Sequence, residues 1–152
     1  MSDIDDPRLT ASGLLMEAHD GLVRKLLPGL AAHGLARPDF NVLIRLARSP
    51  GGRLRMSDLA AQTALSTSGI TRVVDRLEAR GFADRESRPD DRRSTYAVVT
   101  AEGRKVLERF LPDHLAEIDR WLTGLLTPEQ LDALLEALRT VRDEVFPEAT
   151  SH

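Results

Sequence analysis

Four arginines carry the side chains best suited to meeting a polyanion. Arg72 and Arg76 stand four residues apart in the stretch 67–80, and Arg92 and Arg93 are adjacent in the polar segment Arg88-Pro-Asp-Asp-Arg-Arg93. A guanidinium offers paired donors that match the edge of guanine or a phosphate oxygen pair. The hydroxyls of Ser66, Thr67, Ser68 and Thr71 precede the first pair. Short polar residues at a helix N-terminus followed by arginines a turn apart suit a helix entering a DNA major groove. Two arginines at the tip of a ribbon suit a narrow, negative minor groove. Asp91 is expected to hold one of them by a bidentate pair.

These residues need elements to position them. Ile70, Val73, Val74 and Leu77 recur at the spacing of a buried helical stripe, which turns Ser68, Thr71, Arg72, Asp75, Arg76 and Ala79 outward. Ser66 is placed to cap this second helix and Gly81 to end it. A shorter helix over 57–63 and a turn at Ala64-Leu65-Ser66 precede it, giving a helix-turn-helix. Residues 82–87 and 94–100 have strand character on either side of the 88–93 turn, so a β wing follows.

The stretches Leu54-Arg-Met-Ser-Asp-Leu-Ala60, Ser66-Thr-Ser-Gly-Ile-Thr-Arg-Val-Val-Asp-Arg-Leu-Glu-Ala-Arg-Gly81, Asp90-Asp-Arg-Arg93 and Val99-Thr-Ala-Glu-Gly103 follow one another in that order. In them, and from about Leu14 to Val145, the chain resembles the MarR-type transcriptional regulators. The resemblance implies a homodimeric winged-helix protein that binds double-stranded DNA at an inverted repeat. Such proteins are usually repressors, often released by a small ligand or an oxidant. It also implies that Arg93 is the wing arginine that reaches the minor groove. Thr67 stands where many relatives carry a basic residue, so one phosphate contact of the family is not expected here. A winged-helix adaptor that binds protein rather than DNA is the alternative reading.

The rest of the chain supplies supports. Residues 1–8 read as disordered. A helix is expected over 9–32, with Leu14, Leu15, Ala18, Leu22, Leu26 and Leu30 on one side and a kink or early end at Pro28-Gly29. A second helix is expected over 39–48, with Phe40, Val42, Leu43, Leu46 and Ala47 buried, and a short strand at 53–56 pairing with the wing. After the wing, Thr100 should cap a long helix to about Gly124 that bends at Pro112. Thr127-Pro-Glu-Gln130 is a capping box that opens a last helix. Leu131, Leu134, Leu135, Leu138, Val141 and Val145 line one side of it. The fold class is thus mainly α with a small β wing. Residues 36–100 form the DNA-binding domain, residues 1–35 and 101–146 form a dimerisation arm, and residues 147–152 form a disordered tail. Leu14, Leu131, Leu134, Leu135, Leu138 and Val141 are the expected dimer interface, because such stripes are wet in a lone chain and a two-fold copy covers them.

Charge agrees with this division. The net charge is −3, yet 45–93 holds 11 basic and 7 acidic residues. The asymmetry is that of a chain whose one region meets phosphate. There is no cysteine, which excludes disulfides and a thiol redox switch. The acidic start does not read as a signal peptide, and no apolar run is long enough to span a bilayer, so a cytoplasmic protein is expected. Of His19, His33, His114 and His152, no two have metal-ligand spacing on one helix, and His114 with Glu117 makes only a weak pair. No metal, no cofactor and no catalytic constellation are expected. His19 and Arg45 are the candidates for an effector cleft between arm and DNA-binding lobe.

Overall fold

A computed structural model describes residues 3–150 of the chain. Among the described residues six α-helices and three strands are formed: α1 (Pro7–Ala32), α2 (Arg37–Arg48), β1 (Arg53–Arg55), α3 (Met56–Gln62), α4 (Thr67–Ala79), β2 (Ala83–Arg88), β3 (Asp91–Val99), α5 (Ala101–Trp121) and α6 (Pro128–Val145). Among the described residues the strands make one antiparallel sheet ordered β1-β3-β2, so β1 pairs with the wing as expected, Leu54 lying opposite Ala97. The mainly α class with a β wing holds.

The local signals explain where elements begin. The Ser66 hydroxyl accepts from the Gly69 N–H at 3.0 Å, and the Thr100 hydroxyl accepts from Gly103 N–H at 3.0 Å. Both satisfy a donor that the first turn of a helix leaves free. Thr127 and Gln130 form the reciprocal capping box. Gly81 adopts φ +74° after α4, the left-handed conformation that a side chain would disfavour.

Some expectations are corrected. Residues 3–8 are ordered: Asp3–Asp5 form a 3-10 turn, Asp6 caps α1 by accepting from Arg8 N–H, and Pro7 opens the helix. Asp6-Pro7 is itself a cap-then-proline start signal. Met1 and Ser2 lie outside the described residues. Pro28 does not end α1, which continues to Ala32. Pro28 and Arg24 are exposed, so the carbonyl that loses its donor can be hydrated. α5, by contrast, runs on past Pro112 as expected, to Trp121. At the C-terminus Pro147–Thr150 form a 3-10 turn against α3 instead of a disordered tail; Ser151 and His152 lie outside the described residues.

One core joins the elements. Leu30 and Leu35, α2 through Val42, Leu43 and Leu46, α4 through Ile70, Val73, Val74 and Leu77, the wing through Ala83, Ala97 and Val99, and α5 through Val106, Leu107 and Phe110 are buried together. The expected boundary at residue 100 therefore falls inside this core, because the first half of α5 belongs to the winged lobe's packing. α6 behaves differently: it buries no residue, and Leu138 and Val145 keep 40% and 75% of their surface exposed.

Candidate nucleic-acid interface

α4 presents the face that the periodicity predicts. Its four apolar residues are buried, while Ser66, Thr67, Ser68, Thr71, Arg72 and Arg76 are exposed. The Thr71 hydroxyl donates to the Thr67 carbonyl at 2.8 Å, and the Ser66 and Ser68 hydroxyls lie 3.2 Å apart. The small residues keep the start of the helix slim, so its backbone can come near a groove floor.

The arginines fall into two groups. Arg76 is committed: its Nη2 donates to Asp39 Oδ1 at 2.6 Å and its Nε to Asp39 Oδ2 at 3.4 Å. Asp39 is nearly fully buried on α2, so this fork fastens the recognition helix to the helix behind it. The Arg80 Nη1 donates to the Gly34 carbonyl at 2.6 Å and secures the far end. Arg85 on β2 forms a second clamp, pairing with Asp75 at 2.7 Å and with Glu78. It sets the wing against α4. Arg72, Arg92 and Arg93 make no ion pair or side-chain hydrogen bond among the described residues, and all three are exposed. Guanidiniums without internal partners are available to an external anion without first breaking a pair.

The wing also corrects two details. Its turn is only Pro89-Asp90, and Asp91, Arg92 and Arg93 already belong to β3. Asp91 does not orient either wing arginine. It pairs with Arg55 of β1 at 2.8 Å, and Arg55 also donates to the Tyr96 hydroxyl at 3.0 Å. The register of the hairpin accounts for this: between Ser87 and Arg88 the partner on β3 jumps from Thr95 to Asp91, and that irregularity breaks the alternation through Arg92–Ser94 and leaves Asp91 beside Arg55. Arg88 pairs with Asp90 at 3.2 Å across the turn. Sequence reasoning missed Asp39, Arg55 and Arg85, since each partner lies on another element.

His19 and Arg45 do not share a cleft. His19 lines a cavity of about 240 Å³ between α1, α2 and α5, with Leu26, Leu30, Arg37, Phe40 and His114. Arg45 opens on a different cavity, beside the C-terminal turn. Among the described residues no three His, Cys, Asp or Glu side chains come together as a metal site. Glu117 accepts from the Trp121 indole at 2.9 Å, while the His114 ring lies 4.7 Å from Phe110 and 5.1 Å from Phe40. Burial against these rings lowers the His114 pKa from 6.5. The folded protein thus resists protonating a group that the unfolded chain protonates readily. The stability this contributes is complete above about pH 6.5 and is lost as pH falls below it. In urea titrations at pH 7.5 and 5, His114→Phe is expected to show a smaller loss of stability with acid than the parent chain. An unchanged difference would assign the acid sensitivity elsewhere.

A helix-turn-helix held rigidly from behind, with free arginines on its outer face and on an adjoining wing, defines a winged-helix DNA-binding protein. Comparison with known proteins carries the assignment further. Residues 33–94 match the MarR family. The regulator MhqR of Bacillus subtilis is 35% identical over 109 residues, 72% of this chain and 73% of that protein. A MarR family transcriptional regulator of Streptomyces coelicolor, solved in complex with DNA, is 32% identical with a TM-score of 0.82, covering 95% of this chain and 90% of that one. CouR of Rhodococcus jostii RHA1, solved with p-coumaroyl-CoA bound, is 27% identical with a TM-score of 0.77, covering 97% and 96%. The chain belongs to the MarR family, and it is a DNA-binding transcriptional regulator. Among the described residues no helix is long and apolar enough to cross a membrane.

Proposed function

We propose that the chain acts in the cytoplasm as a homodimeric repressor, without catalytic activity, that reads an inverted-repeat operator. The single observation that carries the reading of the site is the sorting of its arginines: Arg76, Arg80 and Arg85, behind α4 and between it and the wing, are bound, while Arg72, Arg92 and Arg93 on the outer face are not paired among the described residues. In this reading the N-terminus of α4 enters the major groove, with Ser66, Thr67, Ser68 and Thr71 close to bases or phosphates and Arg72 on a guanine edge or the backbone. Arg93 enters the minor groove, with Arg92 beside it. Arg76 acts chiefly by fixing the angle of α4 through Asp39, and Asp91 by bracing β3 against β1. Residues 36–100 with the first half of α5 form the reading head, and the outer parts of α1, α5 and α6 form the arm.

An arene-bearing effector is proposed for the His19 cavity, whose walls are mainly apolar, with Arg37 at hand for an anionic group. Its walls come from arm and reading head, so an occupant that prefers one spacing of the two recognition helices shifts the equilibrium between them. The p-coumaroyl-CoA complex of CouR supports a ligand-responsive reading.

Gel retardation with selected operator DNA tests the contacts. Arg72→Ala is expected to reduce discrimination against a changed base by about 1–3 kcal/mol. Arg93→Ala is expected to weaken binding to every sequence and to lower the slope of log K against log salt by about 1. Unaltered affinity, base preference and salt slope in both variants would contradict the assignment.

A further inference from the structure

Three guanidiniums converge on a cavity that the interface does not use. It has a volume of about 450 Å³ and lies between α2, the C-terminal end of α3, and the end of α6 with the turn that follows. Arg45 and Arg48 of α2 and Arg142 of α6 line it, together with Ile44, Gln62 and Phe146. None of the described residues lining it is acidic. Arg45 is half-buried, and its Nη1 donates to the Ala149 carbonyl at 3.2 Å. Arg142 forks onto Asp143, with its Nε 2.9 Å and its Nη2 2.7 Å from Asp143 Oδ1. Arg48 makes no ion pair or side-chain hydrogen bond among the described residues.

Like charges gathered in a concave, partly dry place repel one another and strengthen the field at its centre. The Arg45 pKa is lowered by burial first and by Arg48 and Arg142 next, as expected of guanidiniums that share one concave place. The apolar walls at Ile44 and Phe146 suit a flat hydrocarbon body beside that charge. A cavity of this size lies within the range that ligand sites occupy.

The geometry points to a second ligand site here, separate from the His19 cavity, for a small organic anion with a carboxylate or phosphate head and a ring-sized apolar body. Arg48 and Arg142 take the head, with Arg45 beneath it, and Phe146 and Ile44 cover the body. Because the walls belong to α2 and α3 on one side and to α6 on the other, an occupant ties the arm to the first helix of the reading head. That distinguishes it from a surface cation patch, which would bind anions without regard to their body.

Phenylphosphate and inorganic phosphate are the probes, titrated calorimetrically into the full chain at fixed ionic strength. Phenylphosphate is expected to bind one site per chain that depends on Arg48 and Arg142. The Arg48→Gln, Arg142→Gln double variant should weaken it at least tenfold. Phe146→Ala should weaken phenylphosphate several-fold and leave inorganic phosphate unchanged. His19→Ala should leave the binding that depends on Arg48 and Arg142 unchanged for both probes, whatever it does to phenylphosphate held in the His19 cavity, which separates this site from the proposed effector cavity and from the fate of that reading. Circular dichroism confirms that each variant is folded. No binding by the parent chain, full affinity in the double variant, or loss of the Arg48- and Arg142-dependent binding in His19→Ala would each overturn the assignment.

Discussion

Gly103→Ala is expected to destabilise the chain by about 3 kcal/mol, although alanine is the better helix former by roughly 1 kcal/mol. Gly103 lies in the first turn of α5, and a Cβ built on it would stand 2.1 Å from the Phe82 carbonyl oxygen and 3.0 Å from a Val99 methyl. The obstacle is backbone, which cannot swing aside as a flexible side chain can. Nor can the helix retreat easily. Thr100 holds it from both directions, its hydroxyl donating to the Gly81 carbonyl at 2.6 Å while accepting from Gly103, and its N–H donating to Phe82 O at 3.1 Å. Making room would part α5 from the base of the wing and open the core around Val106 and Phe110. Gly13→Ala is the matched control: Gly13 is also helical, and nothing lies within 4 Å of an added Cβ there. It should gain about 0.5–1 kcal/mol by propensity alone. Urea unfolding of the two variants decides the matter. Equal stabilisation of both would show that the α5–wing contact yields without cost.

The contrast between these glycines also shows what the chain's linear pattern discloses. Ser66, Thr100 and Thr127 mark helix starts because a cap acts within three residues, and the apolar stripe of α4 is a property of one helix. Those features were legible. What lay beyond reach were pairings between elements far apart in sequence. Asp39 read as an ordinary acidic residue near a helix start, yet it is buried and holds Arg76, 37 residues away. The same blindness put Asp91 with its neighbours in the wing, when the shifted register of β2 on β3 leaves it beside Arg55. Arg72 and Arg76 looked equivalent on a helical wheel. Only the position of α2 separates an unpaired arginine from a fastened one. The outward-facing residues were therefore readable as a set, and which of their arginines are fastened from behind was not.

The arm makes the remaining large prediction. Leu138→Lys with Val141→Lys is expected to convert the protein to a single chain in solution and to weaken binding to a full operator by about 10²–10⁴-fold. Within one chain these side chains hold little together: Leu135, Leu138 and Val141 keep 39%, 40% and 50% of their surface exposed, and Leu14 and Met16 on α1 each keep 61%. Leu131 and Leu134 are only half-buried. Where α6 faces α1, the two enclose a largely apolar cavity of about 520 Å³ instead of interlocking. Two amphipathic helices that stop short of covering each other leave a surface that a two-fold copy can cover with the same surface. Lysines there should disturb the lone chain little and the pair severely, since each copy would bring ammonium groups against the other's apolar stripe. DNA affinity follows because the second reading head, once the first is bound, searches only a small volume near its half-site. Sedimentation and gel retardation on whole operator and on one half-site give the test. The double variant should lose affinity for the whole operator while matching the parent's intrinsic affinity for a half-site. A variant that still sediments as a pair and binds the whole operator at full strength would remove α6 from the interface.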